Sequence, residues 1–510
     1  MDGATKESGL RENCTSRLIE RTEGGLEHPT SSDSTPQATQ RCRKLRLAKP
    51  ERGKEGRKVG YGMSVPMQLK FNFASPVPYV AKRGAEARSS GKWEWVEAAV
   101  WTERMLAALG KGVKGGKWFS LIDKVYNAKT LKAAWKRVAA NKGAAGVDKI
   151  SIKRFRSNAV LYLAELGREL RDGIFQPSAV KRVHIPKDGK KTRPLGIPTV
   201  KDRIVQTALK MVLEPIFEKE FLSTSYGFRP GRGCIDALRE VDRLLKEGYT
   251  WVVDADVKSY FDSIPHDRLM ERIRKRVSDG KVLYLIELFL KQEIMEDMKL
   301  WNPISGTPQG AVLSPLLANV YLHQLDLLLH RDGFKMVRYA DDWVVLCRNI
   351  DEAKTALSKI QSWIADNGLE LSPEKTHIGS SLQPGHGFEF LGYRFEDGCR
   401  YVRAKSLKRF KDNIRLRTRR TRGDSIEQII SDLNPTIKGW FGYFKHAHHY
   451  TFSSLDGFIR RRLRAVLSKH QKRPDSGRTG KDHRLWPNAF FAERGLFTMR
   501  EAHVLACRSR

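Results

Sequence analysis

Two short apolar stretches of this 510-residue sequence carry acids. Asp256 lies in WVVDADV (251–257), and Asp341 and Asp342 fill the link between KMVRY (335–339) and WVVLC (343–347). A carboxylate set among Val and Trp carries a desolvation cost unless something positive binds it. Two strands lying side by side would bring Asp256 and Asp341 together. Carboxylate oxygens gathered in this way suit Mg2+, a hard cation that prefers oxygen ligands and substrate phosphates. Two such ions about 3.5–4 Å apart stabilise the attacking and leaving oxygens of a nucleotidyl transfer. The pattern alone fits an ordinary turn as well, because Asp is common in turns.

Other segments could hold a ligand. KDGKKTR (187–193) is a cationic loop that reads as a phosphate clamp or as a solvated basic hairpin. KHAHHY (445–450) gathers His446, His448 and His449, but neither Cys nor a spaced carboxylate accompanies them, which argues against a metal. RNA contact or plain surface remains for that segment. Trp440, Phe441 and Phe444 recur at helical spacing and read as packing core rather than a base-stacking platform.

The elements that must position these residues follow from periodicity. The spacing predicts helices over 93–110, with Gly110 as a C-cap, and over 119–141. KRVHIP (181–186), WVVDADV, KMVRY and WVVLC read as strands, the last two as a tight hairpin. Ser314–Pro315 reads as a cap and first helical residue opening a buried helix, and 351–367 as a helix stopped by Gly368. Asn434–Pro435 reads as the start of another helix, and 458–473 as a basic one. The class is α+β, a small antiparallel sheet with helices packed on it.

Lys and Arg number 93 against 58 Asp and Glu, a formal charge of +35. Such an excess points to a polyanionic partner, nucleic acid before membrane. No apolar run of about 18 residues is present, as a membrane-spanning helix requires, and the N-terminus MDGATKESGL lacks a secretory core. The six cysteines are far apart and form no CxxC pair, so a reduced, cytoplasmic protein is expected rather than a disulfide scaffold. Residues 1–92 read as a disordered basic and polar extension.

YADD (339–342), DVKSYFD (256–262) and GTPQGAVLSPLLANVYL (306–322) together resemble a reverse transcriptase. NKGAAGVDKIS (141–151), IPKDGKKTRPLGIPTVKDRIVQ (185–206), YGFRPGRG (226–233), GLELSPEKT (368–376), FLGY (390–393) and LNPTIKGWFGYF (433–444) follow the order of the group II intron-encoded reverse transcriptase/maturase family. The resemblance covers roughly residues 95–450. It implies a right-hand polymerase followed by a helical thumb/maturase domain. Helical fingers would span 93–180, fingers and palm 181–395, and thumb 396–475. Residues 476–510 would be a short tail without a zinc-bearing nuclease.

The resemblance further implies an RNA-directed DNA polymerase using two Mg2+ ions, which copies intron RNA and assists its splicing. Asp256, Asp341 and Asp342, with the Val257 carbonyl, would hold the metals. Lys187 and Arg193 would hold the triphosphate, Phe261 would exclude a 2′-hydroxyl, and Gln309 would lie by the new base pair. Gly306 and Gly310 would leave room for backbone to approach the substrate. Arg229, Arg232, Arg417, Arg419, Arg420 and Lys438 would touch RNA. The implied partners are group II intron RNA, an RNA template with a DNA primer, and dNTP, with no membrane; the oligomeric state stays open. A maturase without polymerase activity, or an intron-independent reverse transcriptase in repair or defence, are the alternatives. The joint presence of the three aspartates with Lys187, Arg193 and Gln309 favours the polymerase.

Overall fold

A computed structural model describes residues 93–186, 192–297, 299–474 and 477–508. The expectations for residues 1–92 and for Lys187 lie outside the described residues. Residues 93–101 run through turns instead of the helix expected over 93–110. Thr102 then caps α1 (Glu103–Lys111), its hydroxyl accepting from the Met105 N–H, and Gly112 rather than Gly110 ends it. A Thr hydroxyl satisfies an otherwise orphaned N–H of the first turn, which fixes the start there. Asn127 likewise divides the helix expected over 119–141. It ends α2 (Ile122–Tyr126) and caps α3 (Ala128–Ala140), which buries Leu131, Ala134, Trp135 and Val138. Helices α4 (Ile152–Ser157) and α5 (Ala159–Asp172) complete this part.

The hairpin β1 (Val180–Pro186) and β2 (Thr192–Ile197) leads into α6 (Val200–Glu218) and α7 (Cys234–Lys246). Then come β3 (Trp251–Asp256), α8 (Tyr260–Ser263), α9 (His266–Arg274), α10 (Gly280–Leu290), β4 (Ile294–Glu296) and β5 (Lys299–Trp301). Helix α11 (Ser314–Arg331) precedes the hairpin β6 (Lys335–Tyr339) and β7 (Asp342–Cys347). Next are α12 (Ile350–Asp366), β8 (His377–Ser380), β9 (Phe388–Phe390), β10 (Tyr393–Glu396) and β11 (Cys399–Val402). The basic region folds as α13 (Ala404–Arg417), α14 (Ile426–Phe444) and α15 (Tyr450–His470), followed by α16 (Gly480–Leu485), α17 (Asn488–Glu493) and α18 (Met499–Arg508).

Three small sheets replace the single one expected. The first, β2-β1-β4-β5, contains a parallel pairing of β1 with β4. The second, β6-β7-β3-β8, is antiparallel throughout, and the third is β11-β10-β9. The second sheet is apolar on both faces. Val253, Ala255 and Val345 join one core with α6, α9 and α11, while Val252, Val337, Val344 and Leu346 join another with α7, α14 and α15. Alternating side chains thus anchor both faces. Burying each such Val or Leu is worth about 1.5–3 kcal/mol, so the strands that carry the acids are held from both sides.

Three further expectations are corrected. Ser314 is the first helical residue of α11, and its hydroxyl donates to the Pro308 carbonyl instead of capping. Asn434 and Pro435 lie inside α14, which starts after the Ser425 cap. Its first half buries Ile426, Ile429, Ile430 and Leu433. That burial outweighs the roughly 3 kcal/mol that an interior proline costs. The Asn434 side chain bonds the Gly495 carbonyl and the Phe497 N–H. Residues 477–508 are therefore no tail: Trp486, Phe491, Leu496 and Met499 are buried in the second core.

Candidate active site

Asp256 stands opposite Asp342 in the β3–β7 ladder. Opposed residues of an antiparallel pair project from the same face, and the two-residue period puts Asp254 there too. Asp341 occupies the turn after Ala340, whose φ of +62° is left-handed. That conformation disfavours a residue with a Cβ and persists where surroundings enforce it. Arg338, fully buried on β6, donates to the Ala340 carbonyl at 3.0 Å and to Asn319 Oδ1 at 2.8 Å. Asp326 of α11 holds the same guanidinium through bonds of 2.7 and 2.5 Å. Asn319 donates on to the Gly227 carbonyl. Gly227 lies so close to the turn that a Cβ would sit 2.2 Å from the Ala340 nitrogen. The YGFRPGRG segment and α11 thus fix the turn that presents Asp341.

The cleft is crowded with negative charge. Burial raises the Asp341 carboxyl, Asp256 adds to the rise, and Arg193 and Arg338 oppose it. Asp254 is pushed up to about 7 by burial, with Asp256 and Glu389 adding and Arg403 opposing. Asp342 also rises to about 7 through desolvation, with Asp254 and Asp341 adding. Solvent touches the Asp342 side chain, but the protein walls around it limit its hydration. The Lys375 ammonium sits 2.6 Å from Asp256 Oδ2. Carboxylates that resist ionising together, with an ammonium already against one of them, suit a divalent cation. Among the described residues, no three His, Cys, Asp or Glu side chains are gathered as a ready-made metal group. Val257, next to Asp256, bridges to Leu371.

Arg193 is exposed on β2, and its charge reaches both Asp341 and Asp262. Gln309 donates to Asp262 Oδ2 at 2.9 Å, and its carbonyl accepts from the Gly196 N–H. Burial raises the Asp262 carboxyl, opposed by Arg182, Gln309 and Arg193. Of the two neighbouring aromatics, Tyr260 is the buried one, its hydroxyl donating to the Ala318 carbonyl at 2.6 Å, while Phe261 is half-buried beside it. Gly306 and Gly310 do not keep space for a substrate as expected. A Cβ on them would meet the Asp262 and Gly196 backbones at 2.7 and 2.4 Å, so the protein's own chain fills that space.

The reverse transcriptase (RNA-dependent DNA polymerase) family model matches residues 185–395, and the group II intron maturase-specific domain matches 407–486. Protein YkfC of Escherichia coli (strain K12) is 34% identical over 306 residues, 52% of this chain and 79% of that protein. The group II intron-encoded protein LtrA of Lactococcus lactis subsp. cremoris is 40% identical over 365 residues, 58% of each chain. The chain belongs to the group II intron reverse transcriptase/maturase family. A solved chain from a partial Cas6-RT-Cas1–Cas2 complex is 24% identical, with a TM-score of 0.32, and covers 48% of this chain and 41% of its own.

Not every residue that resemblance to the reverse transcriptase/maturase family singled out reaches the cleft surface. Arg229 is buried, bonds Glu218 through two nitrogens at 2.9 and 2.7 Å, and donates to the Leu222, Ser225 and Phe221 carbonyls. Its donors are consumed by the protein, so the expected RNA contact is corrected to a structural one. Arg232 is half-buried, donates to the Ser223 carbonyl at 2.7 Å and stacks over Tyr226. Arg419 and Lys438 are exposed, whereas Arg417 and Arg420 are half-buried. These four lie within the part that matches the maturase-specific domain. Asp254, Lys375 and Asp262 were missed as site residues. Asp254 could have been found from its two-residue spacing to Asp256; Lys375 and the Arg338–Asp326 pair meet their partners only through tertiary packing. Among the described residues, no helix is long and apolar enough to cross a membrane.

Proposed function

We propose that this protein is an RNA-directed DNA polymerase that copies a group II intron RNA with dNTPs and also assists the splicing of that intron. One observation carries the reading: the β3–β7 register sets Asp256 opposite Asp342, with Asp341 in the adjoining turn and within reach of the Arg193 charge. In this reading the β6-β7-β3-β8 sheet is the palm and the β1–β2 hairpin belongs to the fingers. The helices α13 to α15 form the thumb and maturase surface. Asp256 and Asp341 would hold Mg2+ with the Val257 carbonyl, and Asp342 would add its charge beside them. When bound, the two ions acidify the primer 3′-hydroxyl and neutralise the pyrophosphate.

The chain's own groups do the rest. The Lys375 ammonium, 2.6 Å from Asp256 Oδ2, orients and partly neutralises that carboxylate. Arg193, together with Lys187, binds the triphosphate; a guanidinium offers paired donors to its oxygens. Asp262 orients the Gln309 amide toward the nascent base pair, and the Phe261 ring closes the space where a 2′-hydroxyl would stand. Arg417, Arg419, Arg420 and Lys438 attract the RNA backbone irrespective of sequence.

Primer extension on an RNA template with Mg2+ tests the reading. Asp341→Ala should abolish cDNA synthesis and leave RNA binding intact. Continued dNTP incorporation by that variant would overturn the metal role.

A further inference from the structure

The link between α14 and α15 builds a second site far from the carboxylates in sequence. Residues of KHAHHY line a cleft of about 620 Å3 together with α7, the β10–β11 hairpin and α18. This lies within the roughly 300–1,000 Å3 typical of small-molecule sites. Tyr393, Phe395 and Tyr443 form the floor. The Tyr393 hydroxyl donates to the Tyr443 carbonyl and the Tyr443 hydroxyl to the Leu391 carbonyl, so the floor presents rings rather than thirsty polar groups. The His448 N–H is bonded to the Arg400 carbonyl at 2.7 Å, which pins the link in place.

His448 and His449 of this lining continue into an aromatic cluster with Tyr450 and Tyr401 beside the cleft. His448 and His449 have ring centroids 4.5 Å apart, His449 and Tyr450 are 4.2 Å apart, and Tyr401 stands 5.5 Å from His448. Tyr450 is 70% exposed, and His449 is exposed too, so the cluster has an open face. Burial, with His449 and His503 adding, lowers the His448 imidazole and so favours its neutral form. Lys445 and Arg239, the latter also 3.0 Å from Asp236 Oδ1, supply positive charge at the edge. The acid there, Asp242, is engaged by Arg400 at 3.0 Å and Lys246 at 3.2 Å. Sequence alone gave these histidines no companions, but the fold brings up His503 and Cys507 of α18, with the thiol 3.6 Å from the imidazole.

We propose that this cleft binds one unpaired RNA nucleotide, its base stacked on the His449–Tyr450 platform and its phosphate held by Arg239 and Lys445. Rings with an open face beside cations are how proteins hold single-stranded nucleic acid. A peptide partner would instead need backbone hydrogen-bonding groups or an apolar groove. The inference rests on the RNA-binding half of the function proposed above and adds the place and the state of the RNA bound.

The full chain is first saturated with unlabelled template–primer duplex, which occupies the polymerase cleft. A short single-stranded RNA carrying one 4-thiouridine is then added and irradiated. The adduct should map to 446–450 or to α18, and the RNA should slow alkylation of Cys507. Tyr450→Ala and, on a different element, Arg239→Ala should each weaken single-strand binding about tenfold. Both should leave binding of a blunt RNA duplex and primer extension on a pre-annealed template unchanged. Intact primer extension certifies the fold of each variant. The proposal is overturned by adducts confined to other segments, by single-strand affinity equal to wild type in both variants, or by an equal loss for duplex. If wild-type protein lacks primer extension but forms the adduct, the polymerase reading fails and the cleft stands.

Discussion

Phe261 shows how a side chain's surroundings decide its job. Its neighbour Tyr260 is committed to the core, with its hydroxyl bonded to the Ala318 carbonyl, while Phe261 stays half-buried against that core. Of the two, Phe261 is the ring left free to meet an incoming sugar in the proposed reading. Phe261→Ala should relax the preference for dNTP over rNTP by about 10–200-fold, the range that a steric contact in a binding pocket supplies. Primer extension with each nucleotide set measures it, and an unchanged ratio would place the gate elsewhere. The sequence alone could not separate these two aromatics, because both fit a four-residue helix. By contrast, the acids were legible: a charge inside an apolar strand is costly enough to stand out. Asp254 was legible by the same logic through the period of two. Lys375 was not, because nothing local marks an ammonium that will meet Asp256 across the sheet.

Elements are fixed here by caps and buried pairs. Thr199 opens α6, its hydroxyl donating to Asp202 Oδ2 and accepting from the Asp202 N–H. Burial pushes the Asp202 carboxyl up to about 6, against the pull of the Thr199 hydroxyl and of the Ser178 and Thr199 N–H groups. The folded state thus prefers the protonated acid. Its stabilising contribution is fully present below about pH 4 and is lost as pH rises through about 6, a change of about 2–3 kcal/mol. Urea midpoints at pH 4.5 and 7 should differ less for Asp202→Asn than for wild type; equal differences would refute this. The Arg338–Asp326 pair is a second device, fully buried on both sides. Arg338→Met strands the Asp326 charge and should cost about 3–5 kcal/mol, while adding Asp326→Leu should restore much of it. Activity should stay low in the double variant, because the Ala340 carbonyl loses its donor. Full activity in a stable double variant would show that the turn needs no clamp. Helix type and strand positions were readable from periodicity, whereas helix starts were not. Asn434–Pro435 looked like a start because local chemistry favours one, yet burial of Ile426 to Leu433 carried the helix through.

At the scale of the whole molecule the question is how much of the +35 charge is available to RNA. Part of it is spent inside. Arg229, Arg272, Arg338 and Arg464 are buried, and Arg422 is bonded to Asp424 and Asp432. The composition announced a polyanionic partner but could not separate structural arginines from those that meet solvent; that division follows from which faces pack. Arg419 and Lys438 are exposed on the maturase-specific region, Lys438 lying over the Phe497 ring at 5.7 Å. Each cation that neutralises a phosphate releases a counterion and contributes about −0.7 to −0.9 to the slope of log affinity against log salt. Arg419→Ala combined with Lys438→Ala should therefore make the slope shallower by about 1.4–1.8 and weaken binding equally for unrelated RNA sequences. Arg229→Ala should behave in the opposite way. It removes the partner of Glu218 inside the fold, so it should lower the unfolding midpoint and leave the slope of the folded fraction unaltered. Fluorescence titrations of RNA from low to high salt, run beside thermal melts of the same three proteins, separate the two classes. A steep slope retained in the double variant would move the RNA surface off this face, and a slope change in Arg229→Ala without loss of stability would return that arginine to the interface.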